Sequence, residues 1–197
     1  MKNKSEPILT IPNIISLSRL LLSTVFLYLI LARKTREAFI IFIIAISTDF
    51  FDGAAARIFK QKSNLGALLD SLGDKVLMTL SFIVLSIPSI SSPNIIPIWL
   101  TAVVIGRDIY IVSGALMAFR LIGRKKFPPT ITGKISTVFQ MAVPPSILFF
   151  NMIHMQSKFL LPLFLFTLII TIISGIHYTC IGIKWLNESK SEANKRK

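Results

Sequence analysis

Apolar residues in this chain come in runs of roughly 20, broken by short polar stretches that carry lysine and arginine. Such runs are too long for a soluble core helix and match the ~20 residues that take a helix through ~30 Å of hydrocarbon. Six windows stand out: Ile14–Ala32, Ala38–Ile58, Leu68–Ile87, Ile95–Phe119, Ile131–Ile153 and Phe159–Ile183. The pattern predicts an all-α integral membrane protein with six transmembrane helices. No small-residue cleavage site follows the first window, which therefore reads as an anchor rather than a signal peptide. With no internal repeat and no long linker, residues 1–197 read as a single membrane domain with a basic tail over about 184–197.

Charge adds orientation. Of 22 basic residues, 13 fall in segments that lie on the N-terminal side of the membrane: Lys2, Lys4, Lys60, Lys62, Arg120, Arg124, Lys125, Lys126 and the five from Lys184 to Lys197. The opposite loops hold Arg33, Lys34, Arg36 and Lys158. The bias predicts both termini in the cytoplasm, with Arg33–Arg36 the discordant cluster. The net charge of +13 is thereby assigned to topology and a solvated tail, and no nucleic acid partner is expected. A lone Cys180 rules out an internal disulfide and a cysteine zinc cluster, and His154 and His177 accompany no metal-ligand spacing.

The nine acidic residues are less evenly spread. Asp49 and Asp52 are three apart near the end of the second window, and Asp70 and Asp74 are four apart at the start of the third. Each pair shares a helix face. At about 1.5 Å per residue, Asp49 lies about 16 Å from Lys60 and Asp74 about 15 Å from Asn64. Arg107 and Asp108 in the fourth window lie roughly 17 Å from Phe119, so three helices carry acids and an arginine at one expected depth. Carboxylates in lipid are costly and mark function. Four of them together call for cations, and oxygen donors without thiol or imidazole point to Mg²⁺ or Mn²⁺, with a two-metal clamp suited to phosphoryl-type transfer as the expected form.

Small residues surround the acids. Gly53, Ala54, Ala55, Ala56 and Gly66 allow close helix packing, and Gly53, directly after a candidate ligand, lets a substrate approach the backbone. Arg57 can either snorkel to the interface or fork onto a phosphate.

Asp49-x-x-Asp52-Gly53-x-x-Ala56-Arg57, eight residues, Gly66, three residues, Asp70, three residues, Asp74 resembles the signature of the CDP-alcohol phosphotransferases. "IPNIISLSR", "GDKVLM", "GRDIYIVSG" and "GKISTVFQ" extend the resemblance over most of the membrane region. It implies a six-helix, usually dimeric membrane fold whose cytoplasmic site transfers a phosphatidyl group from CDP-diacylglycerol to an alcohol, releasing CMP. It also implies Asp49, Asp52, Asp70 and Asp74 as ligands of two Mg²⁺ or Mn²⁺ ions, with Asp74 the general base. By the same resemblance Gly53, Ala56, Arg57, Ser63 and Gly66 bind the CDP donor. A bacterial inner (cell) membrane is the expected location.

The acceptor is less constrained. Lys75, Arg107 and Lys134 are candidates for holding an acceptor phosphate, with Arg19 a weaker one. "DK" after the fourth aspartate and "GK...T..Q" look most like the phosphatidylglycerophosphate synthases and their cardiolipin-synthase relatives. The first group implies sn-glycerol 3-phosphate as acceptor and the second phosphatidylglycerol. Ser71, Gly73, Asp108 and Ser136 depart from the glycerophosphate pattern, where proline, alanine, glutamate and lysine are expected. A divalent-cation transporter is the alternative from another class. It is disfavoured because the acids cluster toward one side and "IPSISSPNIIP" carries no charge.

Overall fold

The computed structural model describes the backbone of residues 11–59, 64–122 and 130–195, and the side chains of residues 18–48, 75–117 and 130–185. Six helices account for nearly all of it: α1 (Ile11–Leu31), α2 (Thr35–Phe59), α3 (Asn64–Leu85), α4 (Ile98–Ile122), α5 (Ile131–Met152) and α6 (Leu160–Lys195). Each overlaps one predicted window. Among the described residues, Ile98–Met117, Ile131–Met152 and Leu160–Trp185 are long and apolar enough to cross a membrane, and Ser18–Leu31 and Lys75–Leu85 are shorter apolar stretches.

The ends depart from the windows for local reasons. α3 stops at Leu85, where the bonds tighten to Ser86 N–Ile83 O and Ile87 N–Val84 O ahead of Pro88. α4 waits until Ile98 because Pro97 opens it, its carbonyl accepting from Leu100 and Thr101. α6 runs past Ile183 to Lys195 because no glycine or proline interrupts residues 184–195.

The chain forms two compact units. Unit 1 comprises residues 1–96 and 144–157, and within it α1 packs against both α2 and α3. Among the described residues the buried side chains of α1 are Arg19, Ser23, Phe26 and Ile30, and those of α2 include Ala38, Phe42 and Ala45. Spacings of three and four put each set on a single stripe. Phe26 and Phe42 meet with centroids 5.3 Å apart. Leu21, Val25, Tyr28, Ile40, Ile43 and Ile44, on other faces, stay exposed. Apolar faces of that extent need a hydrocarbon solvent, so the stripes are held by close packing rather than by escape from water.

The discordant arginine cluster has a structural cause. Arg33 takes φ 60°, and the bonds Lys34 N–Leu29 O (2.9 Å) and Arg33 N–Ile30 O (3.0 Å) close a Schellman turn at the end of α1. Cationic side chains suit the negative end of a helix. His154, at φ 54°, occupies the same place after α5, with Met155 N–Phe150 O (3.0 Å). Its role there is to turn the chain.

A buried amide clasp ties the segment between α3 and α4 to the end of α5. Asn151 Oδ1 accepts from the Asn94 backbone N (2.8 Å) and Nδ2 (2.9 Å), while Asn151 Nδ2 donates to Ser91 Oγ and Asn94 O (both 2.9 Å). Asn94 Nδ2 also donates to Met155 O (2.7 Å). All four hydrogen-bonding positions of the Asn151 amide are used. Asn151→Asp keeps the shape but removes both donors, so it should destabilise the protein by about 3 kcal/mol, read as a lower Tm in detergent.

Unit 2 comprises residues 97–143 and 158–197, and within it α4 packs on α6. The buried stripe of α6 begins with Leu160 and Phe164 and continues as Thr167, Thr171 and Ser174. It changes from apolar to polar along the helix, and that change organises the cluster described next.

Candidate active site

The acid pairs stand on consecutive helices. Asp49 and Asp52 lie on α2 and Asp70 and Asp74 on α3, and both helices pack on α1. Only residues 60–63 separate the two helices, so each pair falls within about 15 Å, along its helix, of the ends so joined. Gly53, Ala56 and Arg57 follow on α2, and Gly66 precedes on α3. The side chains of residues 49–74 lie outside those described, and Ser63 lies outside the described residues altogether.

Among the described residues no group of three or more His, Cys, Asp or Glu could hold a metal ion, and the four aspartates lie outside that search. Carboxylates alone, without thiolate or imidazole, are the donors hard divalent cations take. The residue types therefore fit Mg²⁺ or Mn²⁺.

Arg19, the weakest acceptor candidate, is fully buried on the face α1 turns to its neighbours. Lys75, directly after Asp74, is exposed.

The other acceptor candidates belong to unit 2. Arg107 on α4 donates from Nη1 to Asp108 Oδ1 (2.8 Å) and from Nη2 to Ser174 Oγ on α6 (2.7 Å). Its guanidinium lies over the Tyr178 ring, 5.8 Å from the centroid. Nε is buried with no hydrogen-bond partner among the described residues, and the side chain is only 10% exposed. The arginine is thus fixed on two sides, with its buried Nε–H unpaired among the described residues.

Around it the start of α5 is tightly specified. Thr130 caps the helix, its Oγ1 accepting from Gly133 N (3.0 Å). Tyr178 Oη accepts from Thr130 N (3.4 Å), and His177 Nδ1 lies 2.9 Å from Thr132 Oγ1. Exposed Lys134 follows Gly133 in the first turn. Ser136, where a second lysine would stand, is fully buried against Thr171 (3.2 Å) and Gln140 (3.1 Å).

Gly133 is required by this packing: a Cβ there would lie 2.9 Å from both Thr130 Oγ1 and Tyr178 Oη. Gly133→Ala should cost roughly 1–3 kcal/mol, and adding Tyr178→Phe should recover part of the lost Tm.

Ser174, Tyr178, Thr130 and the Asn94–Asn151 pair escaped the sequence reading. The signal for the α6 residues was present: Thr167, Thr171, Ser174 and Tyr178 recur at spacings of three and four inside an apolar helix, where polar side chains require partners.

Residues 9–177 match the family described as CDP-alcohol phosphatidyltransferase. The chain belongs to that family. It is 32% identical over 181 residues to the CDP-diacylglycerol–glycerol-3-phosphate 3-phosphatidyltransferase of Aquifex aeolicus (strain VF5), covering 90% of this chain and 98% of the relative. It is 32% identical to a cardiolipin synthase (CMP-forming) of Rattus norvegicus over 67% of this chain, spanning about half (47%) of that relative. A cardiolipin synthase (CMP-forming) of Streptomyces coelicolor (strain ATCC BAA-471 / A3(2) / M145) is 30% identical, over 74% of this chain and 67% of the relative.

As a CDP-alcohol phosphatidyltransferase, the protein is an integral membrane enzyme of phospholipid biosynthesis. The family is in general dependent on divalent metal and uses a CDP-linked alcohol.

Proposed function

We propose that the enzyme transfers the phosphatidyl group of CDP-diacylglycerol to sn-glycerol 3-phosphate, forming phosphatidylglycerophosphate and CMP. What carries the reading is the spacing of four aspartates, two glycines, Ala56 and Arg57 on consecutive helices. The relative named for that reaction, nearly all of whose length the chain spans, supports the choice of acceptor.

Asp49, Asp52, Asp70 and Asp74 would hold Mg²⁺ or Mn²⁺, two ions by the number of carboxylates. When bound, the metal supplies positive charge for the diphosphate oxygens as the bond to CMP breaks. Gly53, Ala56 and Gly66 keep the helix surface low enough for the donor to lie against the backbone. Arg57 and Ser63 hold the cytidine diphosphate by hydrogen bonds, Arg57 with a forked, permanent charge. Asp74 accepts the proton of the acceptor hydroxyl, whose oxygen attacks the phosphorus bearing diacylglycerol. The phosphorus–oxygen bond to CMP then breaks, and CMP leaves with that oxygen. Lys75, Arg107 and Lys134 hold the acceptor's phosphate.

The reading places all six helices across a bacterial inner membrane as a single domain. Both termini and the site face the cytoplasm, and the protein works as a homodimer. Acyl chains then remain in lipid while the cytidine end reaches water.

Asp108 and the sealed position of Ser136 favour a second acceptor, phosphatidylglycerol: both depart from the glycerophosphate pattern, and Ser136 stands where a lysine would offer positive charge to a phosphomonoester. Purified protein with CDP-diacylglycerol and Mg²⁺, given each acceptor in turn with lipid products identified by mass spectrometry, separates the two. Phosphatidylglycerophosphate is the expected product. Cardiolipin alone would select the second reading, and consumption of neither acceptor would reject both.

A further inference from the structure

Two side chains one turn apart on α6 meet Arg107 of α4 in different ways. Ser174 Oγ accepts a hydrogen bond from Nη2, whereas Tyr178 presents its ring, with the centroid 5.8 Å from Cζ. A ring face steadies a guanidinium through its quadrupole and takes up none of the N–H donors. The buried Nε is unpaired among the described residues, so this kind of support leaves it free to meet an anion.

The same tyrosine reaches α5. Its Oη accepts from Thr130 N (3.4 Å) at the start of that helix. A Cβ on Gly133 would stand 2.9 Å from Oη and 3.1 Å from Cε2, so the turn is packed closely on the ring. The guanidinium therefore lies over the face of Tyr178, and the first turn of α5 lies against its hydroxyl edge. Lys134 follows in that turn, its N bonded to Thr130 O (3.1 Å). A tyrosine has only two side-chain torsions, so it transmits a separation more firmly than a long flexible side chain does. An anion held by two cations is sensitive to their spacing, and a shift of about 1 Å can cost on the order of 10²-fold.

We propose that Tyr178 is a positioning residue for the acceptor: it fixes where the first turn of α5, with Lys134, stands relative to the Arg107 guanidinium. The inference rests on the reading in which Arg107 and Lys134 hold the phosphate of sn-glycerol 3-phosphate, and it names the residue that sets their spacing.

Kinetics of the full-length enzyme in detergent micelles, with CDP-diacylglycerol and Mg²⁺, test this. Tyr178→Leu removes ring and hydroxyl and should raise the KM for glycerol phosphate about 20-fold. Tyr178→Phe keeps the ring under Arg107, loses the tie to Thr130, and should raise it about threefold. In both variants kcat should stay within about threefold of wild type and the KM for CDP-diacylglycerol within about twofold. In an Arg107→Gln background Tyr178→Leu should add only about threefold, because the part that acts through the guanidinium is already gone. Tyr110→Phe breaks a different tie between α4 and α6, Tyr110 Oη–Thr179 Oγ1 (2.9 Å). It should lower Tm and leave the KM for glycerol phosphate within about twofold.

A wild-type KM in Tyr178→Phe overturns the proposal, and that variant decides alone if Tyr178→Leu does not fold. A full 20-fold increment in the Arg107→Gln background also overturns it, since Tyr178 would then act apart from the arginine. An equal rise in Tyr110→Phe does the same, because any loosening of the helices would suffice. If Arg107→Gln itself leaves the KM for glycerol phosphate unchanged, the acceptor reading fails and the inference falls with it. A raised KM in Arg107→Gln beside wild-type values in the Tyr178 variants overturns the inference alone.

Discussion

Asp74→Asn is expected to abolish CMP release, lowering turnover by about 10³-fold or more at saturating Mg²⁺ and donor. Asparagine matches aspartate in shape, so the helix position and its packing survive. What it lacks is a site for the proton that leaves the acceptor hydroxyl. An alcohol attacks phosphorus poorly while that proton is held, and no metal supplement replaces a missing base. The same change at Asp49 or Asp52 acts through cation affinity, so raising Mg²⁺ should recover part of its activity. The contrast under metal titration separates base from ligand. Unchanged CMP release in Asp74→Asn would remove this residue from the mechanism.

That prediction rests on a part of the molecule that was legible before any coordinates. The four aspartates stood out because carboxylates are rare in this chain and fall in windows apolar enough for lipid, which would make them expensive, and fixed gaps on two helices made the pattern specific. The six helices were legible in the apolar windows, and among the described residues three of them are long and apolar enough to cross a membrane. Helix ends were less so, because proline placement and hydrogen-bond tightening override composition within a turn. This is why α4 starts at Ile98 and not Ile95.

The polar fittings were not legible at all. Asn94 and Asn151 are far apart in sequence and chemically ordinary, and only the meeting of two distant segments makes them a clasp. Arg19 stood only as a weaker acceptor candidate, and nothing in the sequence excludes the ordinary course of an arginine in a membrane helix, snorkelling to the interface. Burial, which decides against snorkelling, is a tertiary property. Arg107 was legible as a charge in an apolar helix, but its partner across from α4 was not, since a serine in α6 carries no long-range signal.

Arg107→Gln should raise the KM for glycerol phosphate by about 30- to 100-fold, the low end of what removing one member of a desolvated charge contact costs, and leave the KM for CDP-diacylglycerol within about twofold. The guanidinium is enclosed, held at 2.8 Å by Asp108 and 2.7 Å by Ser174, and keeps a buried Nε–H without a partner among the described residues. A positive group fixed in this way loses little freedom on binding an anion and recovers the hydrogen bond it lacks. Arg107 also joins α4 to α6, so a lower Tm alone would be explained by the loss of a strut. Ser174→Ala isolates that part: it breaks the strut and keeps the charge, so Tm should fall with at most a small rise in KM. Arg107→Lys keeps the charge without the fork and should fall between wild type and Arg107→Gln. The size of the effect also reports on the acceptor. A phosphomonoester carries a charge near −2 at pH 7, whereas a phosphodiester carries −1, so removing Arg107 should harm glycerol phosphate more than phosphatidylglycerol. An equal rise in KM for both acceptors would show that Arg107 acts on helix placement, and the phosphate contact would have to be sought at Lys75 or Lys134.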